Sequence, residues 1–323
     1  MKFYKYQGAG NDFLIADNRD GKIAVKDGSL YDGMETVRIA DICDRRYGVG
    51  ADGLMLLERS GSHDFTMVYF NSDGSGGMMC GNGGRCIVAF AADCGIGHFD
   101  FEAADGFHTA EILSEDGRTK TVRLKMKDVD GIKVYGNIGR CTTSGRMAGT
   151  ITESKTGGAE CVAELNGCFL DTGTRHFVTF TENVSGCDVV GVGRKIRYMD
   201  EFGPVGTNVN LVEQDGFSLK VRTYEKGVED ETFACGTGIV ASSVAAWYRM
   251  SSGKSGGLPE GNATDGEASA RGRVRFDVRA VRDMLAVDFL PCMPDAASGT
   301  SCKGIASDVW LTGPATFVAE VKI

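Results

Sequence analysis

The chain has 323 residues, enough for two domains of ordinary size, and no apolar run in it approaches the ~20 residues of a membrane span. Its formal charge of −9 argues against the basic surface that a nucleic-acid partner needs. The 11 cysteines are scattered, with no C-x-x-C and no histidine at zinc-ligand spacing, so they read as reduced thiols with neither a disulfide framework nor a metal site. Met1–Gln7 has no apolar stretch or small-residue cleavage site, and a cytoplasmic protein without membrane partners is expected.

In chain order, Phe3–Gln7 alternates as a strand, Gly8–Asp12 makes a tight turn and Phe13–Ala16 is a second strand. Within that turn Asn11 either offers its amide to a ligand or caps its own backbone in an Asx turn. Met34–Arg45 shows helical spacing through Val37, Ala40, Ile42 and Arg45. Gly48–Gly53 (GVGADG) has the letters of a dinucleotide fingerprint but follows a helical segment and precedes the strand Leu54–Glu58. A Rossmann turn needs the reverse order, so NAD is excluded. Phe65–Phe70 is a strand, Asn71–Gly74 a turn, and Cys80-Gly81-Asn82-Gly83 leads into the small apolar run Cys86–Ala92. Phe99–Met126 is strand-like, with turns at Asp105-Gly106 and Glu115–Gly117.

After Asp130-Gly131 the pattern repeats. Phe169–Phe180 echoes Tyr4–Ile15, and Ile196–Glu213 lines up with Ile42–Glu58. The strand Phe217–Tyr224 and the turn Glu225–Glu231 then lead to Cys235-Gly236-Thr237-Gly238 and the helical run Ile239–Trp247. Cys80 stands to Cys235 almost as Gly50 stands to Gly206, which predicts an internal duplication. The expected halves are 1–130, joined by a returning strand at 312–323, and 131–311. Ser251–Gly272 and Pro291–Ser307 read as inserted surface loops. Val274–Leu290 returns to a strand pattern, and Asp308–Ile323 is strand-like around a Gly313-Pro314 turn.

One C-G-x-G alone reads as a buried cysteine in a turn; two in matching contexts read as two thiols serving one substrate. Each precedes a helix, whose first N–H groups favour a thiolate and can hold a carboxylate, while glycine lets the ligand approach. A thiol with a pKa near ~8.5 can be brought toward working pH in such a place. Two acid–base groups on opposite faces of one carbon invert it, one removing a proton and the other delivering one. For an amino acid the developing charge spreads into the α-carboxylate, which the amides of Gly81, Asn82, Gly236 and Thr237 would stabilise. No cofactor lysine motif is present and no cofactor is expected.

The strings G-A-G-N-D-F at Gly8–Phe13, F-N-S-D-G-S at Phe70–Ser75, M-C-G-N-G-G-R-C at Met79–Cys86, G-T-N-V-N at Gly206–Asn210 and Y-E-K-G…A-C-G-T-G from Tyr224 to Gly238 resemble the diaminopimelate epimerase family, nearly end to end outside the two loops. The resemblance implies a cofactor-independent epimerase that converts LL-diaminopimelate to the meso form in lysine and cell-wall biosynthesis. It implies an α/β fold of two pseudo-symmetric domains, each a curved, mostly antiparallel sheet wrapped around a central helix, with a homodimer as a possible assembly. It makes Cys80 and Cys235 the two bases, puts Glu225 and Asn71 on the α-ammonium, and lines the rest of the substrate site with Asn11, Asn71 and Asn208. His176 and Glu225 would tune the thiols.

Three positions depart from the family: Lys226 stands where arginine is usual, Thr174 where G-N-P-H has asparagine, and Gly53 where glutamine is frequent. All three bear on the distal end of the substrate, where Thr174 and Lys226 are expected to bind and Arg175 is a candidate to compensate for Lys226. The competing expectations are a racemase or epimerase of another amino acid such as proline or hydroxyproline, a non-catalytic amino-acid-binding homologue, and a thiol redox protein.

Overall fold

The computed structural model describes residues 1–136, 140–143, 161–164, 166–252, 272–292 and 304–323, which divide into two units, 1–125 with 312–323 and 126–311. Most of the two expected loops, 253–271 and 293–303, lies outside the described residues.

In the first unit β1 (Lys2–Gly8) reverses at Ala9-Gly10, both at positive φ, into β2 (Asn11–Asp17). A small sheet of β3 (Ala24–Lys26), β4 (Ser29–Tyr31) and β5 (Thr36–Arg38) then runs into α1 (Ile39–Cys43). The helix expected over Met34–Arg45 is therefore only five residues long. Thr36 and Val37, both β-branched, pair with β4 instead. Next, β6 (Gly53–Glu58) lies parallel to β2, and β7 (Phe65–Asn71) antiparallel to β6. After α2 (Gly81–Asp93), β8 (Phe99–Ala103) is parallel to β7 and continues through β9 (Gly106–Asp116) and β10 (Thr119–Lys125) as a meander. The C-terminal strand pairs with β1 from Thr316 to Lys322 and lies beside β10, so the sheet closes on itself.

That closed sheet encloses α2. Every residue from Gly81 to Ala91 is buried, Asn82 and Arg85 included. Small residues allow the enclosure: a Cβ at Gly8 would stand 3.0 Å from Asn82 O and 3.1 Å from Cys86 Sγ, and one at Gly84 2.9 Å from Leu124 Cδ2.

The second unit opens with β11 (Ile132–Tyr135) and a hairpin of β12 (Arg140–Thr143) with β13 (Cys161–Glu164). Then β14 (Gly167–Asp171) and β15 (Arg175–Phe180) pair antiparallel. An unexpected helix, α3 (Val189–Arg197), follows; Asp188 caps it by accepting from Gly191 N at 2.9 Å, and Val189, Val192 and Ile196 pack among Phe177, Phe202, Val209 and Tyr224. β16 (Asn208–Asp215) is parallel to β15, and β17 (Ser218–Glu225) antiparallel to β16. The turn after β17 is closed by β18 (Asp230–Thr232), which pairs back onto it. Behind it comes α4 (Gly236–Ser252), then β19 (Val274–Arg279) parallel to β17, β20 (Met284–Pro291) and β21 (Ala306–Lys322). β21 runs straight through Gly313-Pro314, where a turn was expected; Pro314 falls ahead of the stretch paired to β1, so its missing N–H costs that ladder nothing.

The two units repeat one order of pairings. β1-β2-β6-β7, a helix, then β8-β9 alternates antiparallel, parallel, antiparallel, parallel, antiparallel, and β14-β15-β16-β17, a helix, then β19-β20 does the same. The fold is a mixed α/β arrangement, rich in sheet, with α2 packed on β1, β2, β6, β9 and β10, and α4 on β14, β15, β16, β17, β19 and β20. Among the described residues no helix is long and apolar enough to cross a membrane.

Candidate active site

In the first unit Cys80 is the N-cap of α2, in extended backbone, with its Sγ accepting from Gly83 N at 3.3 Å. Its carbonyl accepts from Gly84 N at 2.8 Å. One turn into the helix, the fully buried Arg85 donates to Gly81 O at 3.1 Å, Asn82 Oδ1 at 2.8 Å and Pro314 O at 3.4 Å. The guanidinium thus lays a positive charge under the start of a helix whose own dipole is positive there.

From Asn82 a hydrogen-bond chain leads outward. Asn82 Nδ2 donates to Asn11 Oδ1 at 2.5 Å, and Asn11 Nδ2 to Asp52 Oδ2 at 3.0 Å. Asp52 and Asp12 share Arg45, each at 2.6 Å; burial pushes the Asp12 carboxyl up, but its bonds to Arg45 and Lys5 outweigh this and hold it below the usual range. Asn11 is therefore a link between α2 and the Asp52 carboxylate. Asn71, exposed at the end of β7, donates to Ser75 Oγ at 3.0 Å.

Gly53 also finds its explanation. A Cβ there would lie 2.5 Å from Tyr69 Cε2 and 2.6 Å from Phe70 O, and a Cβ at Gly77 2.3 Å from the same ring. The Tyr69 ring, set edge-on to Phe13, fills the space in which a longer residue at 53 would begin.

In the second unit Cys235 immediately precedes α4, and its carbonyl accepts from Ile239 N at 2.9 Å. Its Sγ is 3.4 Å from Thr237 Oγ1. His176, fully buried, does not tune the thiol by direct contact: its Nε2 lies 2.9 Å from Thr237 Oγ1 and 2.8 Å from Thr174 Oγ1, and its Nδ1 is 3.1 Å from Asn210 Nδ2. Burial pushes its pKa down to about 3, so it is a neutral imidazole at physiological pH. Thr174 occupies the asparagine position of the family string and supplies a hydroxyl to this cluster, 3.0 Å from that of Thr237.

Asn208 is held at both ends, accepting from Lys226 N at 2.7 Å and donating to Arg175 O at 3.1 Å. Burial also raises the carboxyl of Glu225, at the end of β17, above its ordinary range. Arg175, the candidate to compensate for Lys226, is engaged elsewhere. Successive strand residues face opposite ways, and on β15 His176 faces α4 while Arg175 stacks over Phe169 at 5.2 Å and donates to Phe202 O at 3.3 Å.

Both cysteines stand directly ahead of a helix, as expected, whereas Arg85, Tyr69, Asn210 and Thr223 carry no expectation from the sequence. For Arg85 a signal existed: one arginine inside an apolar helical run is buried with polar partners or does not fit.

Two units of one topology, each starting a buried helix with a cysteine, define a recognisable fold class. It is shared with a phenazine biosynthesis protein of the PhzF family from Bacillus anthracis (TM-score 0.62, 13% identity, 100% of this chain and 98% of that one). A probable proline racemase from Agrobacterium radiobacter matches similarly (TM-score 0.56, 14% identity, 100% and 92%). Sequence narrows the class. The family model for diaminopimelate epimerase matches residues 3–129 and 168–258, and the chain belongs to that family. It is 42% identical over 248 residues to a diaminopimelate epimerase of Flavobacterium psychrophilum (76% of this chain, 81% of the relative) and 38% identical over 256 residues to one of Aquifex aeolicus (77% and 82%).

Proposed function

We propose that this protein inverts one α-carbon of LL-2,6-diaminopimelate to give the meso isomer, in the cytoplasm, as a step toward lysine and peptidoglycan precursors. Cys80 and Cys235 are the acid–base pair. One enters the reaction as thiolate and takes the α-proton, becoming a thiol; the other enters as thiol, delivers its proton to the opposite face and leaves as thiolate. The electron pair of the broken C–H bond is held meanwhile by the α-carboxylate, stabilised by the amides of Gly81, Asn82, Gly236 and Thr237. Glu225 and Asn71 take the α-ammonium; Asn11, Asn208, Thr174 and Lys226 serve the remainder of the substrate. No cofactor enters this scheme.

The observation that carries the reading is the pair of cysteines, each set directly ahead of the enclosed helix at the same point of the same strand order. Identity to named diaminopimelate epimerases favours this substrate over proline or hydroxyproline, for which the likeness is one of fold alone. The test is proton NMR of LL-diaminopimelate with the reduced protein in D2O. Loss of the α-proton signal with appearance of the meso isomer, abolished in Cys80→Ala and Cys235→Ala, is the expected result. Exchange on another amino acid but not on this one would keep the mechanism and reject the substrate; no exchange on any amino acid would reject both.

A further inference from the structure

The last residue of the G-T-N-V-N string, Asn210, has no part in the proposed chemistry, yet it is fully buried beside His176. Its amide orientation follows from its partners. Nδ2 lies 3.2 Å from Phe177 O, which can only accept, so the nitrogen is there and not the oxygen. Oδ1 receives the Thr223 hydroxyl at 2.9 Å. The other N–H of Asn210 is then directed at His176 Nδ1, 3.1 Å away, which must present a lone pair. In a neutral imidazole this puts the proton on Nε2, facing the hydroxyls of Thr174 and Thr237.

A hydroxyl that accepts from Nε2–H, directly or through its neighbour, has its own hydrogen to give. Thr174 and Thr237 are 3.0 Å apart, and at the end of the chain Cys235 Sγ, 3.4 Å from Thr237 Oγ1, can accept. We infer that Asn210, anchored by Thr223, is a positioning residue: it fixes His176 as the neutral Nε2–H tautomer, so that the hydroxyl of Thr237, not the imidazole, donates a hydrogen bond to the Cys235 thiolate.

Gly238 fits this assignment, since a Cβ there would meet Asn210 Oδ1 at 2.3 Å and His176 Cε1 at 3.2 Å; the helix start is bare where the amide and imidazole pass beneath it. His176 is faced from β15 by Thr174, from β16 by Asn210 and from α4 by Thr237 and Gly238, none of them ionisable, and burial alone moves its pKa. Glu225 and Lys226, the ionisable pair at the end of β17, are left in place in every variant below. The inference rests on the proposed use of Cys235 as an acid–base group, but its test needs no turnover.

The first readout is the long-range nitrogen–proton NMR spectrum of the histidine-labelled protein, with the His176 signals assigned from His176→Gln. The second is the pH profile of iodoacetamide alkylation at Cys235, followed by peptide mass spectrometry. His176 is expected as the neutral Nε2–H form from about pH 5 to about pH 9, beyond its ordinary titration range. Thr237→Val should move the Cys235 midpoint up by about one pH unit, roughly tenfold slower alkylation near neutrality, and Thr237→Ser should restore it. Asn210→Leu or Thr223→Val should mix the His176 tautomers and shift the midpoint the same way. A wild-type His176 protonated on Nδ1 or on both nitrogens, or a midpoint indifferent to Thr237→Val, would overturn the inference whatever the substrate proves to be.

Discussion

Replacing Gly238 by alanine tests the packing behind the second thiol. Ordinary contact for the added Cβ is 3.4–4 Å, and it would stand 2.3 Å from Asn210 Oδ1. The oxygen has to retreat by about 1 Å. Asn210 and His176 are fully buried and Thr223 nearly so, which leaves nowhere to go without breaking bonds. At risk are the bonds of Asn210 to Thr223, His176 and Phe177 O, each worth about 1 kcal/mol net in the interior. Alanine returns about 1 kcal/mol of helix propensity, so the expected net loss is ~2 kcal/mol. Both tryptophans, Trp247 and Trp310, lie in the second unit, and their fluorescence follows that unit alone during urea unfolding. With a slope of 1–3 kcal/mol per molar, the midpoint should fall by about 1 M. In an Asn210→Ala background the obstructing atom is gone, and Gly238→Ala should be neutral or mildly stabilising. Equal losses in both backgrounds would refute the clash as the cause.

Cys80→Ser should be inactive yet as stable as the parent, because its hydroxyl still accepts from Gly83 N, whereas Cys80→Ala should be inactive and about 1 kcal/mol less stable; urea titration of both separates cap from chemistry. Arg175→Ala should lose about 1 kcal/mol through its stacking on Phe169 and its bond to Phe202 O, with KM for diaminopimelate unchanged; a raised KM would put Arg175 at the substrate after all. Burial raises the Glu225 pKa in the folded state, so the native protein binds that proton more tightly than the unfolded chain, and stability from this group is present at low pH and lost as pH rises through the carboxylate range. Glu225→Gln should therefore raise Tm at pH 7, by a margin that vanishes below about pH 4, while epimerase activity is lost.

The legible part of the sequence was what the duplication wrote twice. Strand, glycine turn, cysteine and small-residue helix recur around Cys80 and Cys235, so each copy vouched for the other. Elements present once fared worse. α3 was missed although Asp188 and the spacing of Val189, Val192 and Ile196 carry a cap and an apolar stripe, because Gly191 and Gly193 break the run. Those glycines have a reason in packing: a Cβ at Gly193 would sit 2.3 Å from Tyr224 Cβ. At Met34–Arg45 a helical period lost to strand pairing, a contest decided by β4 rather than by the segment itself. Asn210 and Thr223 were invisible for a different reason. A polar residue at an inward strand position reads as a defect until its partners on other elements are known.

The strand that completes the first unit comes from 312–323, far along the chain from β1. Its residues Thr316–Lys322 zip onto β1, and Met1 N donates to Ile323 O. During synthesis the sheet around α2 has to wait, open along β1, until residues 312–323 have been made, whereas 126–311 precede them in the chain. The half made first is thus the half finished last, and the second thiol site is housed before the first.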